Sequence, residues 1–166
     1  MYYINYFFIY SIFGYILETI TLLIINSKKT SGILYGPWTF IYGIGVIIIL
    51  LLEKLIFSKK KWNKWLKRIL LFLTVAITLS IIELVGGILI EKIFNKTFWN
   101  YTNHKFNIGK YISLEMTLVW TILSIIFVYI LKPLTDKIIT KIPKLLTYIL
   151  IILMIIDSTF TLIKGL

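Results

Sequence analysis

The sequence predicts an all-α protein: a polytopic transmembrane helical bundle of about five transmembrane helices, with short amphipathic interfacial segments. Its 166 residues are 59% hydrophobic and only 15% charged, whereas soluble domains are about half apolar and a quarter charged. A small domain has too little interior to hide so much apolar surface. Five apolar runs are also long enough to cross about 30 Å of hydrocarbon. The excess apolar surface is therefore predicted to face lipid.

The five runs define the predicted spans within a single transmembrane domain that covers residues 1–166. They lie at about 3–25, 40–57, 69–90, 112–131 and 145–163. No basic segment precedes the first run, and no small-residue cleavage site follows it. We therefore expect a retained first helix rather than a signal peptide. An odd number of spans places the two ends of the chain on opposite sides of the membrane.

The charge distribution predicts the orientation and the environment. The net charge is +11, and the loops on the N-terminal side carry ten basic residues against seven on the other side. Basic loops stay in the cytoplasm, so we expect a multi-pass protein with a cytoplasmic N-terminus. Lysine nearly excludes arginine, as in AT-rich bacterial genomes, which indicates a bacterial plasma membrane. Lysines between apolar runs fit anionic headgroups, so the expected partner is the lipid bilayer and not nucleic acid.

Both loops on the N-terminal side have an amphipathic pattern. Apolar residues recur at helical spacing in each, namely Trp62, Trp65, Leu66 and Ile69 in one and Leu134, Ile138 and Ile142 in the other. Such segments usually lie in the headgroup region; docking of a partner helix is the alternative. Pro133 and Pro143 bracket the second segment and are expected to separate it from its neighbours.

Four acids lie inside the apolar runs: Glu18, Glu83, Glu115 and Asp157. Charged groups within a membrane are costly and usually face protein or water. Counting from the span ends at 1.5 Å per residue places three of them roughly 9–11 Å below the non-cytoplasmic surface, with Glu115 higher. Small and polar residues at helical spacing accompany those three, which favours inward-facing positions.

Two interpretations of these acids stay open. They form a site for a proton, a metal cation or a positively charged solute, with the metal unspecified. Alternatively, they only make hydrogen bonds between helices or pair with lysines on the same side. Four acids at one level favour the binding site.

The two non-cytoplasmic loops carry the other candidate ligand-binding residues. They are Gly36, Pro37 and Tyr42 in a glycine-rich segment, and Trp99, Tyr101, His104 and Asn107 in an aromatic one. Dense glycine and proline at the start of a span indicates bent or partly re-entrant backbone, which needs protein or water to satisfy it. A tight turn with a glycine packing face is the alternative. A lone histidine in such a loop is more often an interfacial side chain than a ligand.

Several chemical signatures are absent. The sequence has no phosphate-binding loop of the G-x-x-x-x-G-K-[ST] type, no H-E-x-x-H motif and no cysteine. We therefore expect no enzyme, no catalytic residues and no cofactor. A lipid-modifying enzyme with paired carboxylates is a minor alternative.

An ordered set of residues resembles the Putative ABC-transporter type IV family, the CmpB-like small polytopic membrane proteins of Gram-positive bacteria. The matching positions are Tyr10-Ser11, Gly14-Tyr15, Glu18, Gly32, Leu34, Gly36-Pro37, Ile41-Tyr42-Gly43, Glu83, Gly86 or Gly87, Glu91, Phe94, Trp99-Asn100-Tyr101, Phe106-Asn107-Ile108, Leu114 and Trp120. The chain departs from the family pattern at Ser31, Asn100 and Thr121, where arginine, aspartate and glycine are usual.

The resemblance implies a transport component. Because the sequence lacks an ATPase motif, such a role implies a partner subunit, for example a separate ATPase, or a homo-oligomer. The leading hypothesis is a permease-like protein that binds a cation or cationic solute at its intramembrane carboxylates on the non-cytoplasmic side. The alternative is a membrane-embedded accessory or sensory protein whose buried acids only pack the bundle.

Overall fold

The computed structural model describes residues 1–24, 31–59 and 61–164. Its helices are α1 (Tyr2–Ile24), α2 (Phe40–Phe57), α3 (Lys64–Phe94), α4 (Leu114–Ile126), a π-helical turn (Phe127–Leu131), α5 (Lys132–Ile139) and α6 (Lys144–Lys164). Two short strands, β1 (Asn107–Ile108) and β2 (Ile112–Ser113), pair antiparallel. The hairpin was not predicted; the all-α class was, and it is confirmed.

Five helices in the described part of the chain are long and apolar enough to cross a membrane, with α4, the π-helical turn and α5 counted as one. Large apolar side chains along these helices are exposed, for example Leu23, Ile77 and Ile155. Exposed apolar surface of this extent along helices of this length is typical of membrane-spanning segments. The chain is therefore a multi-pass membrane protein, as predicted.

Two helices extend beyond their predicted spans. Asn63 caps α3 by accepting a 2.7 Å hydrogen bond from the Leu66 backbone N–H, so the first amphipathic segment is continuous with the third span from Lys64 onwards. At the other end, Asn95 adopts a left-handed conformation and its N–H bonds to the Glu91 carbonyl, which ends the helix.

The second amphipathic segment is also continuous with the preceding span. Pro133 does not interrupt the chain there, because a π-helical turn over Phe127–Leu131 connects α4 directly to α5. The Lys132 N–H bonds to the Phe127 carbonyl, five residues back. Proline cannot donate to the ladder, and a wider turn just before it is a common local adjustment. The helix then ends at Ile139, before Pro143.

The residues group into two compact units, Met1–Ile47 with Leu134–Leu166, and Ile48–Pro133. In the first unit, α1 and the start of α2 approach closely at glycines. A Cβ at Gly43 would overlap Ser11 and Phe7, and one at Gly14 would overlap the Tyr42 ring. Tyr42, a predicted ligand-binding residue, therefore packs against α1.

The N-terminal half of α1 carries a tyrosine stripe in the same unit. The Tyr2 and Tyr6 hydroxyls both donate to Asp136 Oδ1, at 2.7 and 2.8 Å. The Tyr10 hydroxyl lies 2.7 Å from Thr135 Oγ1. These bonds attach α5 to α1.

In the second unit, α3 packs against α4. Ser80 Oγ and Thr117 Oγ1 are 2.8 Å apart, and Leu71 and Val75 of α3 are fully buried. The β1–β2 hairpin lies beside α3, where the Tyr111 ring packs on Gly87. This contact positions the loop between α3 and α4 next to the acids of α3.

Candidate functional site

Glu83 is the most buried acid among the described residues, with 4% of its surface exposed. Its Oε1 accepts two hydrogen bonds, from Trp120 Nε1 of α4 at 2.7 Å and from the Tyr101 hydroxyl of the loop at 2.9 Å. Both donors are neutral. Among the described residues, no lysine or arginine pairs with this carboxyl.

The second oxygen of Glu83 has a different environment. Oε2 is buried and has no hydrogen-bond partner in the described part of the chain. Buried polar atoms are nearly always satisfied, so an orphaned carboxylate oxygen requires an explanation such as a bound proton or ion. Glu83 is thus held by hydrogen bonds at one oxygen, and its other oxygen is buried without a partner among the described residues.

Two adjacent glycines of α3 let aromatic rings approach this site. Gly86 and Gly87 follow Glu83 by about one helical turn. The Trp99 ring lies over Gly86, with 3.8 Å from the position of a Cβ to the ring, and the Tyr111 ring occupies the space that a Cβ at Gly87 would need. Trp99 and Tyr111 also contact each other edge to face. The loop thereby covers the Glu83 region with aromatic side chains.

A second polar group lies further out along the same loop. The His104 and Tyr101 rings are 5.0 Å apart. His104 Nδ1 lies 3.1 Å from Ser113 Oγ and 3.7 Å from Glu115 Oε2. Glu115 and His104 side chains are 41% and 35% exposed. Titratable groups therefore continue from buried Glu83, through Tyr101, to the partly exposed His104 and Glu115.

Glu91 forms an ionic contact with the loop between α3 and α4. Its carboxylate accepts hydrogen bonds from the Lys110 ammonium and the Tyr111 hydroxyl. The bond to Glu91 raises the pKa of Lys110 above its ordinary value, and burial raises the pKa of Tyr111, with the Glu91 bond acting in the same direction. This cluster fastens the hairpin to the end of α3.

In the first unit, Glu18 and Asp157 hold the glycine-rich segment. Glu18 Oε2 accepts from Ser31 Oγ at 2.8 Å and from the Gly32 N–H at 3.3 Å. Gly32 has a positive φ of 72°, a conformation that glycine adopts readily. The carboxylate thus satisfies backbone that leaves helical geometry.

Asp157 of α6 acts in the same way on the next residues. Its oxygens accept from the Tyr35 N–H at 3.1 Å, the Gly36 N–H at 2.8 Å and Trp38 Nε1 at 2.6 Å. Residues 31–39 precede the helix, since α2 begins only at Phe40. Pro37 lies between the two anchored residues Gly36 and Trp38, where its missing N–H leaves no donor unsatisfied.

The structure brings the predicted site residues together in separate groups. Glu83 lies with Tyr101 and Trp99, Glu115 with His104, and Asp157 with Gly36 and Pro37. Asn107 only stabilises its own turn, with Nδ2 donating to the Gly109 carbonyl at 2.8 Å. The common depth of Glu18, Glu83 and Asp157, with Glu115 higher, stays a prediction, because Glu18 and Asp157 belong to one unit and Glu83 and Glu115 to the other. In the described part of the chain, no three His, Cys, Asp or Glu side chains are grouped to hold a metal ion.

Sequence reasoning missed three important partners. Trp120 and Glu91 were noted only as part of the family pattern, and Asp136 is not among the four acids that lie inside the apolar runs. A tyrosine at every fourth position from Tyr2 to Tyr10 was the available signal for a polar partner such as Asp136. Nothing in the sequence showed that Trp120 would donate to Glu83, because the two residues are 37 positions apart.

Comparison with known proteins adds one finding. The family described as Putative ABC-transporter type IV matches residues 5–162, almost the whole chain. The chain belongs to this family, and the resemblance found in its motifs is confirmed. No curated protein matches the chain, and no solved structure does.

Proposed function

We propose that this member of the Putative ABC-transporter type IV family is a non-enzymatic, permease-like transport component that binds a cation or cationic solute at Glu83. The observation that carries the proposal is the Glu83 carboxyl, which is buried and has one oxygen without a partner among the described residues. A buried carboxylate needs a compensating proton, cation or hydrogen bond.

The hydrogen bonds at Oε1 support a binding function. Trp120 and Tyr101 fix the carboxyl group from two sides, which leaves Oε2 in a defined position. Aromatic rings also attract cations through their faces, and Trp99 and Trp120 belong to this region. A positive ligand on Oε2 would therefore meet a preorganised acceptor with aromatic surroundings.

The other two deeply placed acids contribute differently. Glu18 and Asp157 already accept two and three hydrogen bonds from the segment that runs from Ser31 to Trp38. These contacts explain the presence of both acids within apolar helices without a ligand. We accordingly assign cation binding to Glu83, with Glu115 and His104 at the outer end of the same loop, and a scaffold function to Glu18 and Asp157.

The distribution of basic residues supports the orientation of the site. Ten basic residues on the N-terminal side against seven on the other favour a cytoplasmic N-terminus in a bacterial cell. The loop with Tyr101 and His104 then faces the non-cytoplasmic side. Five helices leave little room for a pathway in one copy, so transport would require a homo-oligomer or a partner subunit, such as a separate ATPase.

Binding is tested first in detergent. The purified protein is titrated with protons, Na⁺ and choline while tryptophan fluorescence is recorded, because Trp120 bonds directly to Glu83. A saturable change is expected for at least one of the three cations in the wild type and in Glu53→Gln, and none in Glu83→Gln. Glu53 pairs with Lys132 at 3.4 Å and is a matched control in the same unit. If the wild type responds to none of the cations, or Glu83→Gln responds like the wild type, cation binding at Glu83 is wrong.

Transport is tested in proteoliposomes with the same cations. Flux is expected in the wild type and its loss in Glu83→Gln; equal flux in both would contradict the transport proposal. The hydrogen bonds of Glu18 and Asp157 favour the second candidate, an accessory or sensory protein whose acids only pack the helices. That candidate predicts lower stability for every acid-to-amide variant and no cation response in any of them.

A further inference from the structure

A groove in the second unit is lined by none of the residues that bond to Glu83. It is lined by Arg68 and Phe72 of α3, Ile125 of α4 and Tyr129 of the π-helical turn; it is open to the surroundings and has a volume of about 310 Å³. Three of the four side chains are apolar or aromatic. The fourth, Arg68, is the only arginine in the sequence.

The charge of Arg68 is not compensated within the described residues. Its guanidinium lies over the Trp65 ring at 5.3 Å and over the Tyr129 ring at 5.7 Å. No carboxylate of the described chain lies within ion-pair distance, and no hydrogen bond from the guanidinium is formed there. Five N–H donors are thus presented between two aromatic rings, and guanidinium groups bind phosphate through two parallel bonds.

The neighbouring charges have the same sign. Lys64 precedes Arg68 by four residues and therefore lies on the same face of α3. Lys67 is turned elsewhere, since its Nζ donates to the Phe57 carbonyl at 3.1 Å. The groove is thus positive at the Arg68 end and apolar along Phe72 and Ile125.

The π-helical turn shapes the opposite wall. Phe127 and Val128 are buried, whereas Tyr129 is exposed and faces Arg68. Such turns insert an extra residue into the helical register and occur often at functional sites. Here the turn brings an aromatic ring to the cation at the end of a membrane-spanning helix, where tryptophan and tyrosine usually lie at the headgroup level.

We propose that this groove binds one anionic phospholipid, with its phosphate on Arg68 and an acyl chain along Phe72 and Ile125. Charge complementarity identifies the occupant: an uncompensated guanidinium flanked by aromatic rings suits a phosphate, and the apolar floor suits a hydrocarbon chain in a protein that spans a membrane. The site is independent of cation binding at Glu83.

The test uses delipidated full-length protein in a neutral detergent and native mass spectrometry. The protein is titrated with phosphatidylglycerol, phosphatidylcholine or inorganic phosphate. One phosphatidylglycerol is expected to bind to the wild type about tenfold more tightly than to Arg68→Gln. Lys141→Gln, which removes an exposed lysine of the first unit, should bind it like the wild type.

A second variant probes the apolar floor. Ile125→Trp keeps Arg68 and fills the groove, so it should also lose the bound lipid; circular dichroism confirms that both variants are folded. Equal affinity of the wild type and Arg68→Gln, equal affinity for phosphatidylcholine and phosphatidylglycerol, or saturation of the site by inorganic phosphate would each overturn the proposal. So would a dimer that dissociates on Ile125→Trp, because the occupant would then be a second copy of the chain.

Discussion

Trp120 Nε1 donates a 2.7 Å hydrogen bond to Glu83 Oε1 and so joins α4 to the most buried acid of α3. We expect Trp120→Phe to lower the free energy of unfolding by about 1.5–3 kcal/mol, because the Glu83 carboxylate loses the shorter of its two hydrogen bonds. Thermal unfolding in detergent measures this change. Trp62→Phe, at an exposed position, is the control; an equal loss in both variants would show that the bond to Glu83 contributes nothing.

Alanine substitutions at the two adjacent glycines of α3 should have different effects on the stability of the protein. Gly87→Ala places a Cβ inside the Tyr111 ring and is expected to destabilise the protein by about 1–3 kcal/mol. Gly86→Ala meets only Trp99, at 3.8 Å, and should be neutral or stabilise the helix by up to about 1 kcal/mol. The two melting temperatures decide the question, and a reversed order would mean that Tyr111 does not pack on Gly87.

Asp157→Asn should loosen the glycine-rich segment locally. Asparagine keeps one acceptor oxygen but directs an NH₂ group toward N–H donors that two carboxylate oxygens now satisfy. Hydrogen exchange of the Tyr35 and Gly36 amides is expected to accelerate about tenfold, as for the loss of roughly 1.4 kcal/mol of local protection. Glu18→Gln is the matched control and should accelerate exchange at Gly32 instead. Uniform acceleration in both variants would contradict separate functions for the two acids.

The Lys110–Glu91 contact should contribute stability that is lost at alkaline pH. Because the pKa of Lys110 is raised above its ordinary value of 10.5 in the folded state, its contribution is fully present below that pH. It is lost as the pH rises through the folded pKa. The stability difference between wild type and Lys110→Gln should therefore be constant from pH 8 to about 10 and shrink above pH 10.5.

Chemical unfolding at a series of pH values measures that difference. The comparison is made in a Tyr111→Phe background, because the pKa of Tyr111 is raised by burial and also depends on its bond to Lys110. A difference that stays constant up to pH 12 would show that Lys110 gains nothing from Glu91.

The hydrogen bonds of Tyr2 and Tyr6 should make coupled contributions to stability, because both hydroxyls donate to the same oxygen of Asp136. Each tyrosine-to-phenylalanine variant is expected to cost about 1–2 kcal/mol, and the double variant should differ from the sum of the two. A double-mutant cycle on thermal stability measures the coupling. Strict additivity would indicate that the two tyrosines bond to different partners.

The sequence by itself determined the membrane class, the five spans and the family. These properties depend on local features: the length of an apolar run, the count of charges and the order of motifs. It also singled out Glu18, Glu83 and Asp157, since an acid within an apolar helix is conspicuous without any knowledge of its neighbours. The departure from helical geometry before Phe40 followed from glycine and proline in the same way.

Only the tertiary structure decided what each acid contacts. Asp157 meets Gly36 across 121 positions, and Glu83 meets Trp120 across 37. Hydrogen bonds over such separations depend on how helices and loops pack. The periodicity of the sequence carries no information about that packing. Three acids that look alike in the sequence are therefore different in the folded chain. Glu18 and Asp157 satisfy irregular backbone, whereas Glu83 keeps one oxygen without a partner among the described residues.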